Sequence, residues 1–410
     1  MNEQEILEGA ESRIQQHRTR EIAISVRVAG RPVGGAEVQI EQVSHAFLFG
    51  ANIFGYWEAP EALRQTYLDR FVEMLNFATL PFYWRSYEKQ PGITRADEML
   101  QCARWCRQRG IVPKAHPMIF NTSAGVPTWL STDPAQAAKQ AQDHIVRCVR
   151  EVAAEINVFD VVNEPSEIER FDNPLTAAWK SKGQIQFARE AFQSARGAHP
   201  STTLLVNDYV LDHRYERVLE QLVDDRGQPL YDAVGMQSHM FAGVWPVEWQ
   251  WKSCEIFSRF GRPLHFTEVT ILSGPITSGP KTGRGSGETT PDGEADQAVQ
   301  AERLYTVLFS HPAVEAITWW SFSDHRPWPG PPGGLLRKDM TPKPAYERLR
   351  SLIRDRWWTR ACGRSGADGT WRCRAFHGRH RVRVTAPGRQ GRTLLIEVNK
   401  TGPAEFVVEA

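Results

Sequence analysis

Two glutamates carry the types and settings from which chemistry could be built. Glu164 closes the run VFDVVNEP (158–165), and Glu268 lies in LHFTEV (264–269), each at the end of a short apolar stretch. Two carboxyls held about 5–5.5 Å apart can cleave a glycosidic bond by double displacement, one giving a proton to the leaving oxygen and the other attacking the anomeric carbon. That division of labour needs two different proton affinities: the acid must be raised by burial and by a negative neighbour while its partner stays ionised. A glutamate by itself argues little, because most are simply solvated. The Asn-Glu-Pro tripeptide after a buried strand argues more, since Asn163 could donate to a sugar 2-hydroxyl as the transition state forms.

Such groups need a frame that brings distant strand ends together. Apolar, strand-like runs occur at 47–53, 76–80, 111–119, 158–162, 203–207, 233–237, 263–269 and 316–322, separated by helix-like stretches at 60–75, 96–109, 134–155, 182–198, 214–224, 247–260 and 296–310. Alternation of this kind implies parallel βαβ units with right-handed crossovers. Eight of them imply closure into an α/β fold of the (β/α)8 TIM-barrel type, whose strands end at one shared mouth. Glu164, after the fourth strand, and Glu268, on the seventh, would then face one cleft. An open doubly wound sheet is the alternative, but no Gly-x-Gly-x-x-Gly turn follows the first strand.

The chain has 410 residues, beyond the ~250 typical of one barrel, so additions are expected. Residues 1–45 read as a helix and β-hairpin extension, with strands 21–28 and 36–43 around Gly30, Pro32, Gly34 and Gly35. Residues 46–355 read as the barrel. Residues 356–410 read as a small β appendage, with strands 370–376, 380–385 and 393–398 that could pair with the N-terminal hairpin. The Gly-, Ser-, Thr- and Pro-rich stretch 273–294 follows the seventh strand and is expected to border the cleft.

Composition narrows the function classes. The formal net charge is +1, which steers the chain to neither nucleic acid nor an anionic membrane. No run of ~18 apolar residues predicts a transmembrane helix. The segment Met1–Ala10 is polar and acidic, so no secretory leader is expected in it, and the compartment stays open between cytoplasmic and secreted with the leader removed. The six cysteines show no C-x-x-C spacing and read as free thiols, with Cys362 and Cys373 the pair that could bridge across a hairpin. No metal-ligand spacing appears, and no cofactor is expected. The 14 tryptophans serve mostly as core, but several fall near strand ends, where a flat ring can stack on a sugar.

Further motifs occur in one order along the chain: KAHPMIF (114–120), DVVNEP (160–165), LVNDY (205–209), GMQSH (235–239), HFTEV (265–269), ITWWSFSDHRPW (317–328) and KPAY (343–346). Together they resemble glycoside hydrolase family 10, the xylanase-type family, over about residues 36–352. The resemblance implies a retaining, endo-1,4-β-xylanase-like hydrolase with Glu164 as acid/base and Glu268 as nucleophile. It implies that Gln237 contacts substrate, that His239 orients Glu268, and that His116 contacts a sugar. It places Asn207, Asp208 and Tyr209 near the cleft and makes Trp320 and Trp328 sugar platforms. The implied partner is a carbohydrate, a xylan-like oligosaccharide or another β-glycoside.

The sequence departs from the family pattern at TLPFYWRSYEKQPG (79–92). Trp84 and the closing Pro-Gly fit. Leu80, Pro81 and Tyr83 stand where Asn, Glu and Lys would grip the sugar, and Arg85 is the cation available to compensate. Phe120-Asn121 replaces a Trp-His pair. Thr270 replaces the Asp that would polarise His239. A more apolar and aromatic pocket follows, lined by Tyr83, Trp84 and Arg85. The same machinery could therefore act on a different sugar or on an aryl or apolar aglycone. A barrel that binds carbohydrate without turnover is a third reading, but binding alone needs neither both carboxyls nor His239 and Gln237.

Overall fold

Near-continuous apolar runs suit parallel strands covered on both faces. In the computed structural model, which describes residues 1–275, 288–327 and 330–410, eight such strands close into a barrel. They are Leu48–Asn52, Phe77–Pro81, Val112–His116, Val158–Asn163, Thr203–Asp208, Ala233–Met240, Leu264–Ile271 and Val314–Trp319. Each pairs with the next in sequence, and the eighth returns to the first through Ala316–Trp319 against Leu48–Ala51. The fourth and seventh strands are buried at every position. Asp160, Asn163, His265 and Glu268 thus sit as polar groups inside a closed interior, where each must be paired or raise the energy of the fold.

The ladders slip where the chemistry-bearing residues lie. The sixth–seventh register shifts between Met236 and Gln237, and the seventh–eighth shifts between Phe266 and Val269. Bulges of this kind re-aim side chains at a barrel rim. The outer helices follow ordinary rules. Pro134–Val152, for example, starts at Asp133, whose side chain accepts from Gln136 N–H, and buries Ala137, Ala141, Ile145, Cys148 and Val152 along one stripe. A helix at Pro174–Lys182, capped by Asn173, precedes Gln184–Ala198, and Gly183 at φ 88° turns the chain between them. Sequence periodicity reads only the second of these, because PLTAAWKSK is short and its apolar residues do not form a clean stripe.

The terminal strands pair differently from the hairpin that their alternation suggests. Thr19–Val28 and Glu37–His45 do not pair with each other. Thr19–Val28 lies between Thr370–Phe376 and Glu405–Glu409, whereas Glu37–His45 lies between Arg360–Arg364 and Gly378–Thr385, which also pairs with Arg392–Val398. Ile22, Ile24 and Val26 of the first strand and Val38 and Ile40 of the second then meet Ala375, Val382, Val384, Ile396, Val398 and Val408 in one core separate from the barrel's. Placing the strands in two sheets closes that apolar face, whereas one two-stranded sheet would leave it open. The same arrangement corrects the cysteine reading. Cys362 and Cys373 belong to different sheets, and both are free, the first exposed and the second half-buried.

Two short helices, Glu3–Glu8 and Ala10–Arg18, tie the N-terminus to the barrel. Ile6 packs with Val247 and Val307. Arg18 donates to the carbonyl of Phe309 (2.7 Å), in the last turn of the helix Pro291–Ser310, and to that of Val314 (2.7 Å), which opens the eighth strand.

Candidate active site

Glu164 follows the fourth strand directly and takes a left-handed backbone, φ 57° and ψ 47°, before Pro165 opens a short 3-10 turn to Arg170. This conformation costs a non-glycine residue roughly 1–2 kcal/mol. It is fixed by Glu164 N–H donating to Asn207 O (2.7 Å) and Ser166 N–H donating to Asp208 Oδ2 (2.9 Å). The carboxyl is 8% exposed. Its Oε1 accepts from Gln237 Nε2 (3.2 Å) and its Oε2 from Arg170 (3.1 Å). Burial foremost, then the negative charge of Asp208, pushes Glu164 up to about 8, although Arg170 pulls the other way. Asp208 is itself buried and pushed up to about 6 by that burial, against the N–H groups of Val210 and Ser166 that it accepts.

Glu268, 6% exposed, has the opposite surroundings. Its Oε1 accepts from Asn207 Nδ2 (2.8 Å) and lies 3.8 Å from His116 Nε2, while its Oε2 lies 3.1 Å from His239 Nε2. Burial alone would raise it; His116, His239 and Asn207 outweigh that and hold it below the usual carboxylate range. Asn207 Nδ2 also donates to Asn163 Oδ1 (2.7 Å), which takes a longer contact from Gln237 Nε2 (3.4 Å). One chain of amides thus joins Glu268 to Glu164, and Thr267, donating to Asn207 Oδ1 (2.6 Å), fixes the amide orientation. Both carboxyls, Asn163, Gln237, His116 and His239 are brought together at one barrel mouth.

Beneath them lies a layer that sequence reading misses. Asp160 Oδ2 accepts from Lys114 Nζ (2.6 Å) and lies 2.7 Å from His116 Nδ1, with all three groups buried. This layer sets the ring whose other nitrogen faces Glu268. The available signal is a pair of polar residues, Lys114 and His116, two apart on the third strand and hence on one face, with Asp160 four residues before Glu164.

The profile of Glycosyl hydrolase family 10 matches residues 79–352, more than half of the chain and every residue of this carboxylate network. The chain belongs to glycosyl hydrolase family 10. It is similar to the anti-sigma-I factor RsgI6 of Acetivibrio thermocellus, 25% identical over 410 residues that cover 96% of this chain and 48% of that protein. It is also similar to endo-1,4-beta-xylanase 1 of Arabidopsis thaliana, 22% identical over 85% of this chain and 34% of that protein. The chain therefore spans half or less of the length of these relatives. Among solved structures, xylanase 10B from Thermotoga petrophila RKU-1 in complex with xylobiose superposes with a TM-score of 0.63 at 18% identity, over 76% of this chain and 95% of that one. At that identity the likeness concerns the barrel.

Several departures from the family 10 pattern take a definite form in the structure. Thr270 does give His239 a partner: its Oγ1 lies 2.9 Å from His239 Nδ1 and donates to the Trp320 carbonyl (2.5 Å). A neutral hydroxyl thus orients the ring where a carboxylate is the family's device. Tyr83 lies in the site, its ring edge-on to His116 (5.7 Å) and Phe54 (6.5 Å). Burial, then the charges of Glu268 and Glu164, push its phenol well above its usual range. Phe54 and His116 both meet Trp320, at 5.4 and 5.2 Å, so four rings form one wall. Trp320 is covered by these neighbours and is only 2% exposed.

Other predicted contacts lie elsewhere. Trp84 does not line the pocket: it is fully buried, stacks on His144 (4.3 Å) and donates from its indole to Glu88 Oε2 (2.9 Å). Glu88 also pairs with Arg147, and a buried carboxylate of this kind needs such donors. Arg85 is exposed and donates to Ser123 O (3.2 Å), on the rim. Tyr209 stands at the rim too, its hydroxyl donating to Glu167. Asn121 is buried and donates to Ile168 O (2.7 Å), bracing the turn that carries Arg170. Trp328 and residues 276–287 of the expected cleft-side loop lie outside the described residues.

Proposed function

We propose that the chain is a retaining β-glycoside hydrolase of the xylanase type, with Glu268 as nucleophile and Glu164 as acid/base. The observation that carries this reading is the opposed proton affinity of two carboxyls at one barrel mouth, Glu164 raised to about 8 and Glu268 held low. Near neutral pH, ionised Glu268 attacks the anomeric carbon while Glu164 passes its proton to the departing oxygen. The carboxylate left on Glu164 then takes a proton from water, whose oxygen attacks the same carbon and releases Glu268. Because Asn163 Oδ1 already accepts from two amides, its Nδ2 is the group left to donate to a substrate hydroxyl. The substrate is a carbohydrate, with a β-1,4-xylan chain as the first candidate.

The aromatic wall of Tyr83, Phe54, Trp320 and His116 favours a second reading of substrate within the same chemistry, a β-glycoside of a different sugar or one with an aryl or apolar aglycone. A pocket that lacks hydrogen-bond partners for particular hydroxyls discriminates among them weakly. Hydrolysis of xylan compared with aryl β-xyloside, β-glucoside and β-galactoside separates the two; best activity on polymeric xylan removes the second.

Glu268→Ala and Glu164→Ala should each lower turnover by orders of magnitude. Azide should restore the first with an α-glycosyl azide as product, and the second with a β-glycosyl azide. Full activity of Glu268→Ala overturns the assignment. Sugar binding by calorimetry with no turnover of any β-glycoside would instead mark a binding barrel.

A further inference from the structure

We propose that Arg170 is a positioning residue for the acid/base: seated on the Tyr209 ring, its guanidinium holds Glu164 Oε2 and lets that carboxyl give up its proton and stay ionised for the second half of the reaction. This rests on the hydrolase reading above. The acid/base must be neutral in the first step and ionised in the second. Two carboxyls that face Glu164 oppose its ionisation, Asp208 from the end of the fifth strand and Glu268 from the seventh, while the Tyr83 phenol, from the segment after the second, is itself held protonated by burial beside them. Gln237 from the sixth strand donates a neutral hydrogen bond. Among the described residues, the cation in contact with Glu164 is Arg170, at 3.1 Å.

Its placement is built rather than incidental. The guanidinium carbon lies 5.3 Å from the Tyr209 ring centroid and 5.1 Å from that of Phe171. The Tyr209 hydroxyl donates to Glu167, which Arg214 also holds, and Arg214 is anchored in turn on Asp212 (2.8 Å). Tyr209, which the family resemblance brings near the cleft, thus carries Arg170. A free arginine on a surface turn would have many rotamers; this one is sandwiched. Its side chain is 48% exposed, so solvent weakens its pull on Glu164.

The test is a pH profile with two leaving groups, using dinitrophenyl and methoxyphenyl β-glycosides of whichever glycone the wild type hydrolyses. The methoxyphenyl substrate needs the acid; the dinitrophenyl substrate does not, and its slow step is hydrolysis of the glycosyl-enzyme. In Arg170→Met, the basic limb of kcat/KM on the methoxyphenyl glycoside should move up by about half a pH unit, a roughly threefold change in proton affinity, in line with a half-exposed ion pair. On the dinitrophenyl glycoside, kcat and KM should fall together while kcat/KM holds, because the base form of Glu164 is scarcer. Arg170→Lys should restore both. An unmoved basic limb, or an equal loss of kcat/KM on both substrates, would overturn the proposal while leaving the hydrolase reading standing. Absence of wild-type turnover on every β-glycoside would sink both.

Discussion

Asp160 should be the residue whose single replacement costs the site most in stability. It is fully buried, its Oδ2 serves both Lys114 (2.6 Å) and His116 (2.7 Å), and their charges hold it below its ordinary range even though burial would raise it. Asp160→Asn keeps the shape but strands the buried Lys114 ammonium. Breaking one side of a buried ion pair costs about 3–5 kcal/mol. With an unfolding entropy of about 2.1 cal/mol/K per residue, a chain of this length unfolding as one unit should lose roughly 3–6 °C in Tm. The ring of His116, no longer pinned at Nδ1, would present its other nitrogen to Glu268 in a looser geometry, with a further drop in kcat/KM approaching about 10²-fold. Scanning calorimetry of Asp160→Asn, Lys114→Met and the double variant measures the pair. The double variant removes both charges and should recover at least half of the lost Tm. If the two single losses simply add in the double variant, or if Asp160→Asn melts with the wild type, the buried charge pair is not what holds this layer.

Four further outcomes follow from the same geometry. The basic limb of wild-type kcat/KM should lie near pH 8, where Glu164 loses its proton, and the acid limb below the usual glutamate value, where Glu268 gains one. Because folding raises Glu164 above its unfolded value of about 4.3, its contribution to stability falls as pH rises from there toward 8. Glu164→Gln should therefore melt above the wild type at pH 8 and beside it at pH 4.5; the reverse order contradicts the assignment. Thr270→Val removes the hydroxyl that bridges His239 and the Trp320 carbonyl. Loss of that bridge should cost about 1–3 kcal/mol and lower kcat, so a variant with wild-type kcat argues against any role of that bridge in setting His239. Gly235→Ala would place a Cβ 2.6 Å from Asn207 Oδ1 and 2.9 Å from Val206 O, displacing the amide that holds Glu268. Loss of kcat well beyond any loss of Tm is expected; unchanged kcat shows that the amide tolerates the shift.

The amino-acid sequence alone determined the barrel and its two carboxyls, and the reason is burial. Parallel strands covered on both faces must be apolar almost throughout, so Val158–Asn163 and Leu264–Ile271 stand out as runs, with Glu164 the acid directly after the first and Glu268 the acid within the second. Period-two alternation likewise marked Thr19–Val28 and Glu37–His45 as strands with one apolar face. Alternation states which side of a strand turns inward but not which strand lies beside it, so only the tertiary structure could send these two into facing sheets. Residue type has a similar blind spot. A tryptophan serves equally as a sugar platform or as a buried donor, and only packing put Trp84 over Glu88 and His144. The proton affinities that divide the work between Glu164 and Glu268 belong wholly to the folded state. They come from burial and from Asp208, His116 and His239, groups that the chain holds far from the carboxyls in sequence and that become their neighbours only when the barrel closes.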